Sequence, residues 1–373
     1  MILDISDYQF QRIFSNKELW LPIQWNNKNF PDTLKQLFDN YINSINNNCE
    51  IHFYDKQDMY EIEHIFEISQ VCDLLVRTVQ EYLNGFPAKA FKTFGHVMSL
   101  LEHTPLETYS KSLREQLEIS QYNDSLNLYR VTTVNENISY SRSRVFHTPY
   151  SMRSKVSTNR YSIAGFPSLY LGTSLELCCE EVHPNLNSEL VIASRFQLER
   201  NYEINSTEIR VIELAIKPQD FLEELDKYDN NIKYRIVSDR ILSNHRVRRA
   251  YLLWYPLIAA CSFIRVNKKD PFAAEYIIPQ LLMQWIRKET GTKKKSYKQL
   301  VGIRYFSCAS ARASDMGFNY VFPTCGQSNG KEFCSVLSEA FKLTRPYFRH
   351  EYQDIYSWEY ALKNDMNLKT INN

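Results

Sequence analysis

The chain has 373 residues, 44% of them hydrophobic, enough for one large domain or two ordinary ones with a proper core. Its 44 Lys and Arg nearly balance 43 Asp and Glu, and a formal charge of +1 excludes any general pull toward nucleic acid or anionic lipid. Eight cysteines with no CxxC pair suit reduced thiols better than a disulfide framework, so the cytoplasm is the expected compartment.

The opening MILDISDYQF carries an early Asp and no basic segment before an apolar run, so it does not read as a secretory signal. Between residues 57 and 105 apolar positions recur at helical spacing: Ile62, Ile65, Phe66, then Leu74, Leu75, Val79, Leu83, then Phe91, Phe94, Val97, Met98, Leu101. A helical N-terminal domain over 1–120 is predicted. QYNDSLN (121–127) reads as a polar connector, and LYRVTT behind it as a β-branched strand opening a second domain over 121–373. Further strands are predicted at 168–173, 209–216, 301–307 and 319–323, with a helix over 276–288. The expected class is therefore α+β, a helical domain followed by a mixed α/β one. The apolar run YLLWYPLIAACSFI (251–264) contains Pro256, is too short to span a membrane, and reads as buried core. KKK at 293–295 reads as a solvated loop.

The stretch RYSIAGFPSLYLGTSLELCCEE (160–181) compresses four signals. Gly165 and Pro167 mark a turn, and Ser168 to Leu171 form a strand that enters a buried sheet. Thr173 with Glu176 three residues on reads as a capping box, so a helix should begin near Ser174. At about 100° per residue, Leu175, Cys178, Cys179 and Val182 form its apolar stripe. Glu176 and Glu180 fall on the far side, whereas Glu181 lies toward the flank. The pattern alone leaves two readings of Glu181: a solvated surface acid, or an acid turned toward what lies over the sheet.

With LYR (128–130), FHTPYSMR (146–153) and GIRYFS (302–307), this stretch resembles the RES-domain family, named for an Arg, a Glu and a Ser. The resemblance covers about 126–325 and matches three motifs in order. The Arg after an aromatic residue on the first strand corresponds to Arg130, the Glu of the helix after G-x-P-x-LY to Glu181, and the Ser ending GIxYxS to Ser307. A long segment over 185–295 and the N-terminal 120 residues set the chain apart from short members.

The resemblance implies an ADP-ribosyltransferase-like fold and a toxin or defence effector that cleaves NAD+, releasing nicotinamide to water or phosphate. A carboxylate suits an oxocarbenium-like transition state, and Glu181 takes that role. Arg130 would hold the phosphates, with Arg160 as a second anion contact. Tyr161 would offer a flat face to nicotinamide or its ribose, with Tyr170 a weaker part of the same wall. Ser307 would hydrogen-bond the ribose or the carboxylate. Arg153 is a further candidate contact, whereas His147 reads better as a His satisfied beside its turn. NAD+ enters as substrate, with no cofactor and no metal expected. An antitoxin or regulatory protein is the expected partner, a homo-oligomer is open, and neither membrane nor nucleic acid is expected. The alternative is an ADP-ribosyltransferase that modifies a protein or nucleic acid.

Other patterns carry less. Cys178, Cys179 and His183 lack zinc-ligand spacing and read as core thiols with a neighbour. Neither G-x-G-x-x-G nor a P-loop is present. Arg240 and His245 make an R-x4-H spacing that reads as a basic helix surface.

Overall fold

The computed structural model describes residues 7–26, 29–48, 58–103, 110–112, 127–198, 209–222, 245–267, 269–291, 299–324 and 330–371. The lysine run at 293–295, Arg240, the side chain of His245 and the connector over 121–126 lie outside the described residues. The helices are α1 (Asp7–Phe14), α2 (Phe30–Asn48), α3 (Asp58–Leu83), α4 (Pro87–His103), α5 (Leu175–Val182), α6 (His245–Ala260), α7 (Ile277–Gly291), α8 (Ser335–Ala340) and α9 (Ile355–Asn364). The strands are β1 (Ser110–Ser112), β2 (Leu128–Val134), β3 (Ser168–Gly172), β4 (Leu190–Leu198), β5 (Ile209–Leu214), β6 (Gln299–Phe306), β7 (Phe318–Pro323), β8 (Phe341–Leu343) and β9 (Tyr347–Phe348).

Two compact units emerge: residues 1–109 with 216–282, and residues 110–215 with 283–373. This differs from a single boundary near residue 120, and the chemistry of α6 explains why. Tyr251 and Tyr255 of α6 are fully buried with Phe10, Phe14 and Tyr41; the Tyr41 and Tyr255 rings lie 4.4 Å apart and those of Phe14 and Tyr255 5.1 Å apart. Such aromatic pairs add to the area they bury. Each hydroxyl finds a carbonyl: Tyr41 donates to Leu252 at 2.7 Å, Tyr255 to Leu19 at 2.8 Å and Tyr251 to Ile216 at 3.0 Å. The run over 251–264 is buried core as expected. Among the described residues no helix is long and apolar enough to cross a membrane.

The second unit is built on a nine-stranded mixed sheet, among the described residues, in the order β1-β5-β6-β7-β3-β2-β4-β8, with β9 also on β4. The pair β5/β6 is parallel and the neighbours are antiparallel. One core holds Leu128, Leu169, Leu171, Phe196, Tyr320, Phe322 and Phe341. Another packs Tyr129 and Val131 of β2 against Leu175, Cys178 and Cys179 of α5 and Trp358 of α9. Strand alternation assigns the faces. Register pairs Gly172 with Asn319, Tyr170 with Val321, Tyr305 with Asn319, and Tyr129 with Gly172, so these residues share the face that α5 covers. Gly172 lets α5 approach, because a Cβ there would lie 2.7 Å from Cys178 Sγ.

Candidate active site

The helix α5 is held at both ends. Ser174 accepts the Leu177 N–H at 3.2 Å, and Glu359 of α9 accepts the Leu175 N–H at 2.8 Å, its carboxyl raised above the usual range by burial. The cap is thus Ser174 and not Thr173, whose hydroxyl instead accepts the Phe318 N–H at 2.9 Å and extends the strand pairing. His183 closes the helix in the left-handed region at φ 51, its N–H on Cys179 O. Leu175, Leu177, Cys178 and Cys179 are buried beneath, which fixes the helix's rotation and turns Glu181 toward the ends of β6 and β7. Burial raises the Cys178 thiol strongly and pushes Cys179 up to about 11, so both act as packing. Among the described residues no His, Cys, Asp or Glu group is arranged to hold a metal.

Glu181 accepts two hydrogen bonds on one oxygen. Ser307 Oγ donates to Oε1 at 2.6 Å, and Asn319 Nδ2 donates to the same Oε1 at 2.6 Å. Both donors are buried, Ser307 fully, while Glu181 itself is exposed. The Ser307 Oγ also accepts the Ala309 N–H at 3.1 Å, which directs its own proton to the carboxylate. Oε2 receives no hydrogen bond from the described residues. Among the described residues, the adjacent Glu180 accepts a single bond, from Ser310 at 3.3 Å. Glu181 is therefore solvent-exposed and at the same time turned toward the ends of β6 and β7, so each of the two readings holds in part.

Beside this cluster lies a group of aromatics. Tyr305 shares its face with Ser307, and its phenol is raised well above the usual value by burial, reinforced by Glu181, Tyr170 and Tyr161 and opposed by Arg160. Tyr161 packs on Tyr305 with ring centroids 4.8 Å apart, and Tyr170 shares a 2.8 Å hydrogen bond with Ser162. The expectation of an open Tyr161 face is corrected: the residue is 1% exposed, so its ring is covered within the protein, whereas Tyr170 is half-buried. Arg160 is buried and close enough to affect Tyr305 and the Cys308 thiol, which burial pushes up to about 11.

Arg130 occupies a different environment. The strands β2 and β3 meet at the single pair Tyr129 and Gly172, and Arg130 follows at the point where they part. Its side chain is half-buried, and Nη1 is wholly buried with no hydrogen-bond partner among the described residues. Burial lowers its pKa from 12.5 to about 10, with Arg144 adding repulsion and Cys178 and Tyr170 opposing. Arg153 makes structural contacts, its guanidinium 4.8 Å over the Tyr150 ring and donating to Gly165 O at 3.2 Å, so it secures the turn at Gly165 (φ 82). His147 is fully buried; its Nδ1–H meets Thr148 O at 2.8 Å, its Nε2 accepts the Cys334 N–H at 2.9 Å, and burial lowers its pKa to about 4. It is a neutral structural histidine, as its turn context suggested.

Asn319 and Glu359 escaped the sequence reading. Asn319 stood within the strand recognised at 319–323, and alternation with Val321 was its available signal; nothing local tied it to an acid 138 residues away. Glu359 lies on a helix that the sequence reading did not single out.

Over 308 residues, 80% of its length, the chain is 30% identical to a Bacillus subtilis (strain 168) protein named "Putative toxin YopC". It spans 62% of that relative's length. No family model matches the chain. No solved structure matches it.

Proposed function

We propose that the chain is a RES-type, ADP-ribosyltransferase-like enzyme that cleaves the bond between nicotinamide and ribose in NAD+, acting as a toxin or defence effector. The observation that carries this reading is the fixed carboxylate: Glu181 is solvent-accessible, yet Ser307 and Asn319 hold one of its oxygens at 2.6 Å. Loss of nicotinamide builds positive charge on the ribose, and a preorganised carboxylate stabilises that charge without reorganising during reaction. Because nicotinamide leaves without needing a proton, no general acid is required.

The buried Nη1 of Arg130, without a hydrogen-bond partner among the described residues, supports the second half of the reading, since a desolvated cationic N–H donor gains most from a phosphate oxygen. Arg160, close to the Tyr305 and Cys308 groups, adds positive potential beside the acid. Tyr170, half-buried with its hydroxyl on Ser162, offers a more exposed ring than Tyr161 to nicotinamide or its ribose. Ser307 acts on the carboxylate, because its proton is committed to Glu181. The relative named as a toxin supports the physiological role, and an enzyme that depletes NAD+ calls for an antitoxin or regulatory partner. Incubation of the purified chain with NAD+ tests the proposal: free nicotinamide appears without a macromolecular acceptor, together with ADP-ribose or its phosphorylated form. Intact NAD+ overturns it, and nicotinamide released only with a macromolecular acceptor replaces it with ADP-ribosyl transfer.

A further inference from the structure

We infer that Asn319 is a positioning residue that selects which oxygen of Glu181 meets the substrate. The inference rests on the NAD+-cleavage reading above. A carboxylate only accepts hydrogen bonds, so the contact at 2.6 Å fixes the orientation of the carboxamide: Nδ2 faces Glu181 and Oδ1 turns back toward Gly172. A Cβ at residue 172 would lie 3.4 Å from that Oδ1, so the glycine leaves room for this orientation. Asn319 is 4% exposed and anchored in β7 between Gly172 and Tyr305, which leaves it little freedom to follow a moving acid.

Ser307 and Asn319 approach the same oxygen from different strand ends. Two short bonds on Oε1 fix the carboxylate plane, and Oε2 is left as the oxygen available to the ribosyl cation. With Ser307 alone, a single bond would still allow the carboxylate to swing about its hydrogen-bonded oxygen. An exposed Glu carries substantial side-chain freedom, and the second donor removes it before substrate arrives. Asn319 therefore touches neither ribose nor nicotinamide, and its effect falls on turnover more than on binding.

The test is steady-state nicotinamide release by Asn319→Leu, which is nearly isosteric and lacks both donor and acceptor. A bond to a charged group lost at this position lowers kcat by about 10- to 150-fold, with KM within about twofold. Because Asn319 acts through the acid, adding the same change to Glu181→Ala leaves the residual rate where Glu181→Ala alone set it. Asn319→Ala, smaller than the native side chain and likewise without donor or acceptor, reads the same change if the leucine variant does not fold. An unchanged kcat overturns the inference, as does a further loss in the Glu181→Ala background, which marks a merely structural role. If the wild-type protein releases no nicotinamide, or Glu181→Ala retains full turnover, the underlying reading fails and takes this one with it. Turnover that depends on Glu181 but ignores Asn319 overturns this inference alone.

Discussion

Replacing Arg130 by Met should separate folding from function in opposite directions. The guanidinium is held where burial lowers its pKa from 12.5 to about 10, and its Nη1 has no partner among the described residues. At 1.36 kcal/mol per tenfold, that lowering corresponds to about 3 kcal/mol of penalty on the charged form. Solvent reaching the half-buried side chain reduces the penalty to about 2 kcal/mol. Methionine keeps the unbranched stem and carries no charge to desolvate, so the variant should be more stable than the wild type by up to about 2 kcal/mol. For a unit of this size, that raises the melting temperature by about 4–8 °C. Binding should move the other way. A lost charge-assisted bond to phosphate is worth about 1.5–3 kcal/mol, so NAD+ affinity falls by about 10- to 150-fold. Thermal melting followed by near-UV circular dichroism and titration calorimetry with NAD+ read the two effects. A variant that melts several degrees lower, or binds NAD+ as the wild type does, refutes the reasoning, because the guanidinium would then have a structural partner or no ligand.

Two further outcomes concern stability. His147 has a folded pKa of about 4 against an ordinary 6.5, so between these values the unfolded chain binds more protons. Stability should therefore fall as pH drops from about 6.5 to 4, by about 3 kcal/mol from this residue. Denaturant titrations at pH 7.5 and 4.5 should show a smaller pH difference in His147→Gln, and equal differences would contradict the assignment. Gly302→Ala would drive a Cβ to 2.5 Å from Val321 O and 2.8 Å from the Phe322 ring, at a backbone that β7 holds in register. Such overpacking costs about 1–3 kcal/mol, and a urea midpoint equal to the wild type would show that the strands can part without cost.

Much of the second unit was legible locally. The strands at 128–134, 168–172, 209–214, 299–306 and 318–323 follow from β-branched or alternating residues, and α5 starts within a residue of the expected place although its cap is Ser174 and not Thr173. The helical unit was legible only in part. Its helices α3 and α4 announce themselves by period over 57–105, but α6 joins the unit through tertiary aromatic contacts of Tyr251 and Tyr255 that no local pattern reveals. At the site, Glu181 and Ser307 were legible through motif order, and their contact follows from the rotation that Cys178 and Cys179 impose on α5. Tyr161 was misjudged because its burial depends on Tyr305, which is remote in sequence. The loop contacts of Arg153 with Tyr150 and Gly165 were not legible, because they depend on the turn that brings residues 150, 153 and 165 together.

The central claim is that one of two adjacent acids does the chemistry. Glu181 is fixed by Ser307 and Asn319, while among the described residues Glu180 has a single 3.3 Å contact, with Ser310. Nicotinamide release from NAD+ by Glu181→Gln, with Glu180→Gln measured alongside, tests it most directly. The account predicts a loss of at least about 100-fold in kcat for Glu181→Gln and wild-type turnover for Glu180→Gln. Full activity in Glu181→Gln, or equal losses in the two variants, would contradict it.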